Sequence, residues 1–90
     1  MAKAIVDPEE LRRFAAELKR FSGSLQAEVI GVRRQFVRLG ETWRDQEHAK
    51  YAEDFERMIN AIGRFVESSA KQVPILLRKA EGIQQYLDQR

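Results

Sequence analysis

The sequence predicts an all-α, single-domain protein spanning residues 1–90, an antiparallel helical hairpin with helices over about 8–39 and 43–88 that assembles into a dimeric four-helix bundle. Three observations predict it. Apolar residues recur at helical spacing along two long segments. The stretch Leu39-Gly40-Glu41-Thr42-Trp43-Arg44-Asp45 separates those segments halfway along the chain. Each apolar stripe is also broader than one neighbouring helix can cover, so a lone hairpin would leave apolar surface in water.

The first helix starts at Asp7-Pro8-Glu9-Glu10, after a short lead-in. Asp7 is the N-cap, Pro8 occupies the first turn where its missing N–H costs nothing, and Glu10 completes a capping box. From there Leu11, Leu18, Leu25, Val32 and Leu39 recur every seven residues. Phe14 and Phe21 flank that row early, and Val29 and Phe36 flank it late, as a stripe drifts around a straight helix.

At the turn, Gly40 is expected to take positive φ and close the first helix. Thr42 is expected to cap the second, with Asp45 three positions on complementing the helix dipole. Trp43, the only tryptophan, has two readings: a core residue of the hairpin tip, or part of a surface presented to another protein.

The second helix carries Phe55, Ile62, Leu76 and Ile83 on one row and Ile59, Val66, Val73, Ala80 and Leu87 on the next, widened by Tyr51, Met58 and Phe65. The face expected to form core and dimer contacts is Leu11, Phe14, Leu18, Phe21, Leu25, Val29, Val32, Phe36, Phe55, Ile59, Ile62, Phe65 and Val66. Pro74 removes a backbone donor and clashes with the preceding turn, which predicts a kink or break near Gln72-Val73. Gly23, Gly31, Gly63 and Gly82 each cost roughly 1 kcal/mol relative to Ala and admit close approach where they face a neighbouring helix.

Composition narrows the function classes. Ninety residues are close to the size at which one core is only marginally stabilising, which makes a second copy or a partner chain physically reasonable. There is no Cys, hence no disulfide framework and no Cys-based metal site. Sixteen basic against fourteen acidic side chains leave a net charge of +2, a balance that argues against a nucleic-acid coat. Folding at Gly40 sets Arg33, Arg34 and Arg38 beside the acidic start of the second helix, favouring this register, although exposed pairs contribute only about 0–1 kcal/mol each. Residues Met1 to Asp7 offer no apolar core for a cleavable signal, and no apolar run reaches membrane-spanning length.

No chemistry-bearing constellation emerges. His48 has no Cys or second His beside it, so no metal site is expected and a surface position is. Ser22, Ser24, Ser68 and Ser69 lack the setting of an activated nucleophile, and Glu53 and Asp54 diverge on a helix. No phosphate-binding Gly motif is present. No catalytic, cofactor-binding or metal residue is assigned, and no enzymatic activity is expected.

Two amphipathic helices around a central Trp43-Arg44-Asp45, followed by Tyr51, Phe55 and further apolar repeats, resemble the WXG family, the early-secreted-antigen-like (Esx) small proteins of type VII secretion systems. The resemblance implies a non-enzymatic secretion substrate or adaptor that forms a homodimer or heterodimer with a related hairpin. It also implies contact with a type VII secretion ATPase or a larger secreted cargo, with Gly40, Trp43 and Asp45 at a recognition tip. Localisation follows as secreted without a Sec signal, or cytoplasmic before export. Two positions depart from the family pattern. Asp45 stands where the family has Gly, and Arg90 follows Tyr86 where the family's export motif carries Asp or Glu. An intracellular scaffold or toxin partner that is not exported is the alternative.

Overall fold

Helix α1 (Pro8–Leu39) begins where the sequence signals it: Asp7 is the N-cap, its carboxylate accepting from Glu9 N at 2.9 Å, and Pro8 follows immediately. The reciprocal half of the expected box is replaced by an ion pair, with Glu10 lying 3.4 Å from Arg13. Helix α2 (Gln46–Asp88) returns antiparallel along α1 and makes a rod 68 Å long and 24 × 17 Å across. This computed structural model describes residues 6–89. The lead-in expected over residues 1–5, and Arg90, lie outside them.

Packing follows a seven-residue rhythm. On α1 the row against α2 is Pro8, Ala15, Ser22, Val29 and Phe36, the first three buried and the last two half-buried. On α2 the matching rows place Phe55, Ile59, Ser69 and Ala80 in the buried set, with Ile62, Val66, Val73, Leu76, Ile83 and Leu87 half-buried between them. Side-chain size is graded along the seam. Ala15 and Ala80, at 1% and 0% exposure, fill the open half, and the stacked rings of Phe36 and Phe55 fill the half near the turn. Among the described residues no large side chain is completely buried.

At about 100° per residue, Ile30, Val37 and Leu77, all exposed, fall to one side of this seam, and most of the remaining apolar positions of both helices fall to the other. That flank carries Phe14, Phe21, Val32 and Leu39 of α1 with Tyr51, Met58, Phe65 and Ile75 of α2, all exposed. Leu11, Leu18 and Leu25 line its inner edge, half-buried. An edge-to-face contact between Phe21 and Phe65, centroids 5.9 Å apart, joins the two helices there. Polar contacts between the helices occupy the opposite flank, where Arg33 meets Glu56 at 3.7 Å and Arg12 donates to Gln84 at 3.5 Å. Arg34 and Arg38, expected to join that pairing, make no ion pair among the described residues.

Several local expectations are corrected. Gly40 has φ −64°, in the right-handed helical region, so it does not close α1 through positive φ. Thr42 does not cap α2; its hydroxyl donates to Leu39 O, and the helix starts three residues later than expected with Asp45 as N-cap. Helix α2 runs unbroken through Pro74. Pro74 and Ala70, whose carbonyl loses its donor, are both exposed, so water can take the donor's place. The four interior glycines do not admit close approach: a methyl group added at Gly23, Gly31, Gly63 or Gly82 would meet nothing within 4 Å. Open space at a helical glycine leaves only its backbone-entropy cost. Gly23→Ala and Gly63→Ala are therefore each expected to raise stability by roughly 0.5–1 kcal/mol in urea denaturation; a loss of stability from either would show a contact at that position.

Candidate partner interface

The tip is built on one carbonyl. Leu39 O, at the end of α1, accepts from Thr42 N at 3.2 Å, Trp43 N at 3.0 Å and Thr42 Oγ1 at 3.4 Å. Gly40 N bonds back to Phe36 O and Val37 O, and Glu41 N to Arg38 O. The chain is thus wound through Trp43 onto the end of α1, which fixes where the indole stands. Arg44 closes the turn by donating Nε to Gly40 O at 3.4 Å. Asp45 is extended, φ −90° and ψ −176°, and its carboxylate accepts from His48 N at 3.0 Å, satisfying one of the free donors in the first turn of α2.

An aromatic cluster fills the angle between the helix ends. The His48 ring lies parallel to Phe36, centroids 5.2 Å apart, and meets Trp43 edge-on at 5.0 Å. Tyr51 adds contacts to Trp43 at 6.1 Å and Phe36 at 5.8 Å, and Phe55 stacks beneath Phe36 at 4.4 Å. Gly40 lies against this cluster. A Cβ there would stand 3.6 Å from His48 Nε2 and 3.3 Å from Val37 O. His48 is consequently no surface residue; it is half-buried, and its Nε2 is enclosed without a hydrogen-bond partner among the described residues. Sequence reasoning missed this role, although position 48 lies seven residues before Phe55 on the seam row.

The other expected site residues fall into two groups. Val29, Phe36, Phe55, Ile59, Ile62 and Val66 belong to the seam. Phe14, Phe21, Val32 and Phe65 stand on the apolar flank, with Leu11, Leu18 and Leu25 at its edge. Trp43 is half-buried, packed on one side and open on the other. A groove lined by Val32, Phe36, Leu39, Tyr51 and Phe55 joins the tip cluster to that flank, so the two form one continuous surface.

Among the described residues no group of His, Asp and Glu is placed to hold a metal ion, and no helix is long and apolar enough to cross a membrane. The fold and its surface define a small helical hairpin with an aromatic tip and an uncovered apolar side. The chain belongs to the WXG100 family, proteins of 100 residues with WXG, whose family model matches residues 4–86. It is thereby a small helical protein associated with type VII secretion, of a family whose members typically form dimers and are not known enzymes. No curated protein and no solved structure matches it significantly.

Asp45, two residues after Trp43, has a geometry that suits an acidic residue. The residue is extended, so it needs no glycine backbone, and its side chain supplies a cap that Gly lacks. Asp45→Ala should lower stability by about 0.5–2 kcal/mol, whereas Asp45→Gly should cost only a few tenths of a kcal/mol. Urea midpoints of the two variants check this, and equal losses would assign no weight to the carboxylate bond.

Proposed function

We propose that this protein is a non-enzymatic type VII secretion substrate or adaptor that dimerises through its apolar flank and presents its aromatic tip to a further partner. The observation that carries the reading is the amount of apolar surface left on one side of the rod. Phe14, Phe21, Met58, Phe65 and Ile75 are each between 41% and 57% exposed, and together with Val32, Leu39 and Tyr51 they form one strip. The chain exposes 7433 Å², about 2,000 Å² more than a globular monomer of 10.5 kDa. A specific interface of standard size buries about 800 Å² on each partner, so the excess is more than enough for one partner hairpin laid on this flank.

Gly40, Trp43 and Asp45 act in this reading as scaffold and anchor of the tip. Gly40 lies against His48, Asp45 caps α2, and Trp43 offers its exposed side to a partner's chain end. Tyr86, 63% exposed near the end of α2, precedes Arg90 by four positions, where the family's export motif carries an acidic residue. That departure favours an adaptor exported with a partner over a substrate exported by its own signal.

Two measurements test the reading. Phe21→Glu combined with Phe65→Glu should weaken self-association or partner association by at least about 100-fold, since each unpaired carboxylate buried on the flank costs more than the 1.4 kcal/mol of a tenfold change. Light scattering after size exclusion reads the loss, and circular dichroism should show the helices retained. Trp43→Ala should leave association intact while reducing export from cells carrying the intact secretion operon. A wild-type chain that stays monomeric at high concentration, alone and with its neighbouring gene products, would remove the dimer reading.

A further inference from the structure

Several features that weaken a helix pair coincide at one level of the rod. Counting two heptads along each helix from the stacked rings of Phe36 and Phe55, away from the turn, brings Ser22 opposite Ser69. Both serines are buried in the seam, and Ser22 Oγ is enclosed without a hydrogen-bond partner among the described residues. An enclosed, unpartnered hydroxyl costs stability, and two facing serines bring far less apolar surface to the seam than two phenylalanines. Beside them the helices leave a cleft of about 370 Å³, lined by Lys19 and Gly23 of α1 and by Val66, Ala70 and Val73 of α2. Just beyond Ser69, Pro74 leaves the Ala70 carbonyl without its helical donor.

The two halves of the rod on either side of this level are held differently. Toward the turn, the Phe36–Phe55 stack, buried Ile59 and the Arg33–Glu56 ion pair join α1 to α2, and the aromatic cluster closes the end. Away from the turn, the buried side chains are Pro8, Ala15 and Ala80, with Leu76, Ile83 and Leu87 half-buried, and Arg12 reaches Gln84 at a weak 3.5 Å. A helix passes stability from one end to the other through its ladder of backbone bonds. In α2 that ladder lacks a rung where the seam is also thinnest.

We propose that α2 is divided at Ala70–Pro74 into two separately opening units, and that the segment from Ile75 to Asp88 detaches from α1 while the half nearer the turn stays folded. Detachment bares Leu76, Ile83 and Leu87 of α2, with Leu11 and Ala15 of α1, at the end of the rod remote from the tip, and it carries Tyr86 along. The division is a property of the hairpin itself and does not rest on any partner. Local opening in cooperative units of this kind is set by how much each unit buries and how its backbone is bonded to the next.

Amide hydrogen exchange of the full chain, resolved by NMR at several urea concentrations below the unfolding transition, reads the units directly. Amides from Leu76 to Ile83 should share one opening equilibrium, at least about tenfold larger than that of amides from Phe55 to Val66, with the step falling at Pro74. Pro74→Ala returns the missing donor and should lower the opening of the outer group at least about tenfold. Gly63→Ala, on the turn side, should slow exchange from Phe55 to Val66 and leave the outer group unchanged, because that half is folded in both states of the outer opening. A single opening equilibrium shared by both groups overturns the proposal. So does protection that fades smoothly toward the chain end and is unmoved by Pro74→Ala, which is simple fraying. Slowing of both groups together by Gly63→Ala also overturns it, since the hairpin would then open as one unit.

Discussion

Two rods lying side by side share one line of contact, and the rest of this molecule follows from that limit. A helix in a globular protein buries a stripe at least about 100° wide, but one neighbouring helix covers only a narrow seam within it. Here the seam is occupied by Ala15, Ser22, Ser69 and Ala80 over its open half and by Phe36, Phe55 and Ile59 near the turn. The larger side chains Phe14, Phe21, Met58 and Phe65 are displaced sideways, where the hairpin covers them only in part, Phe21 and Phe65 meeting edge-to-face. Small residues in the seam draw the helices together, and in doing so they assign the bulky ones to an outside face. Adhesion within the hairpin therefore uses one set of rows and leaves larger apolar side chains on adjoining rows open to solvent.

The turn solves a separate problem, because a rod with so thin a core needs its two halves held in register at one end. Leu39 O gathers three donors, Asp45 caps the next helix, and five aromatic rings from Phe36, Trp43, His48, Tyr51 and Phe55 fill the angle between. These rings are mostly buried or half-buried, with Tyr51 exposed, so the tip anchors the fold and still shows aromatic surface. Rigid aromatic surface at low conformational-entropy cost is what recognition of a peptide segment requires.

Helix number, direction and the first cap were legible in the sequence because they rest on local signals: the period of the apolar residues, Asp7-Pro8, and the single interruption at Gly40. The seam row of α1 was hidden. Pro8, Ala15 and Ser22 are too small or too polar to register in an apolar pattern, so the periodicity centres on the louder neighbouring row of Leu11, Leu18 and Leu25, which is the edge of the face. The turn misled for a related reason. Glycine after a helix suggests a positive-φ requirement, yet Gly40 is in the right-handed region, and a Cβ there would meet the His48 ring at ordinary contact distance and Val37 O more tightly, at 3.3 Å. Thr42 and Asp45 are both acceptable caps by composition. The choice between them was made by Leu39 O, which holds Thr42 and Trp43 to the end of α1 and so delays the second helix.

The same distinction between loud and quiet rows bears on partner choice. Apolar strips of equal width are nearly interchangeable, so a family built from such hairpins cannot separate right from wrong partners by adhesion alone. Discrimination has to come from what borders the strip, and the borders of this chain are not equivalent. Along α1 the edge mixes Glu10 and Glu17 with Ser24, Gly31 and Arg38, whereas along α2 Glu47 and Asp54 lie between the strip and a basic row, Lys50 to Arg78, on the solvated back of the helix. Individually, exposed pairs contribute little and are screened by salt. On α2 that basic row stands between Glu47 and Asp54 on one side and Glu53, Glu67 and Glu81 on the other, so most of its charges have an opposite charge three or four residues away on their own helix.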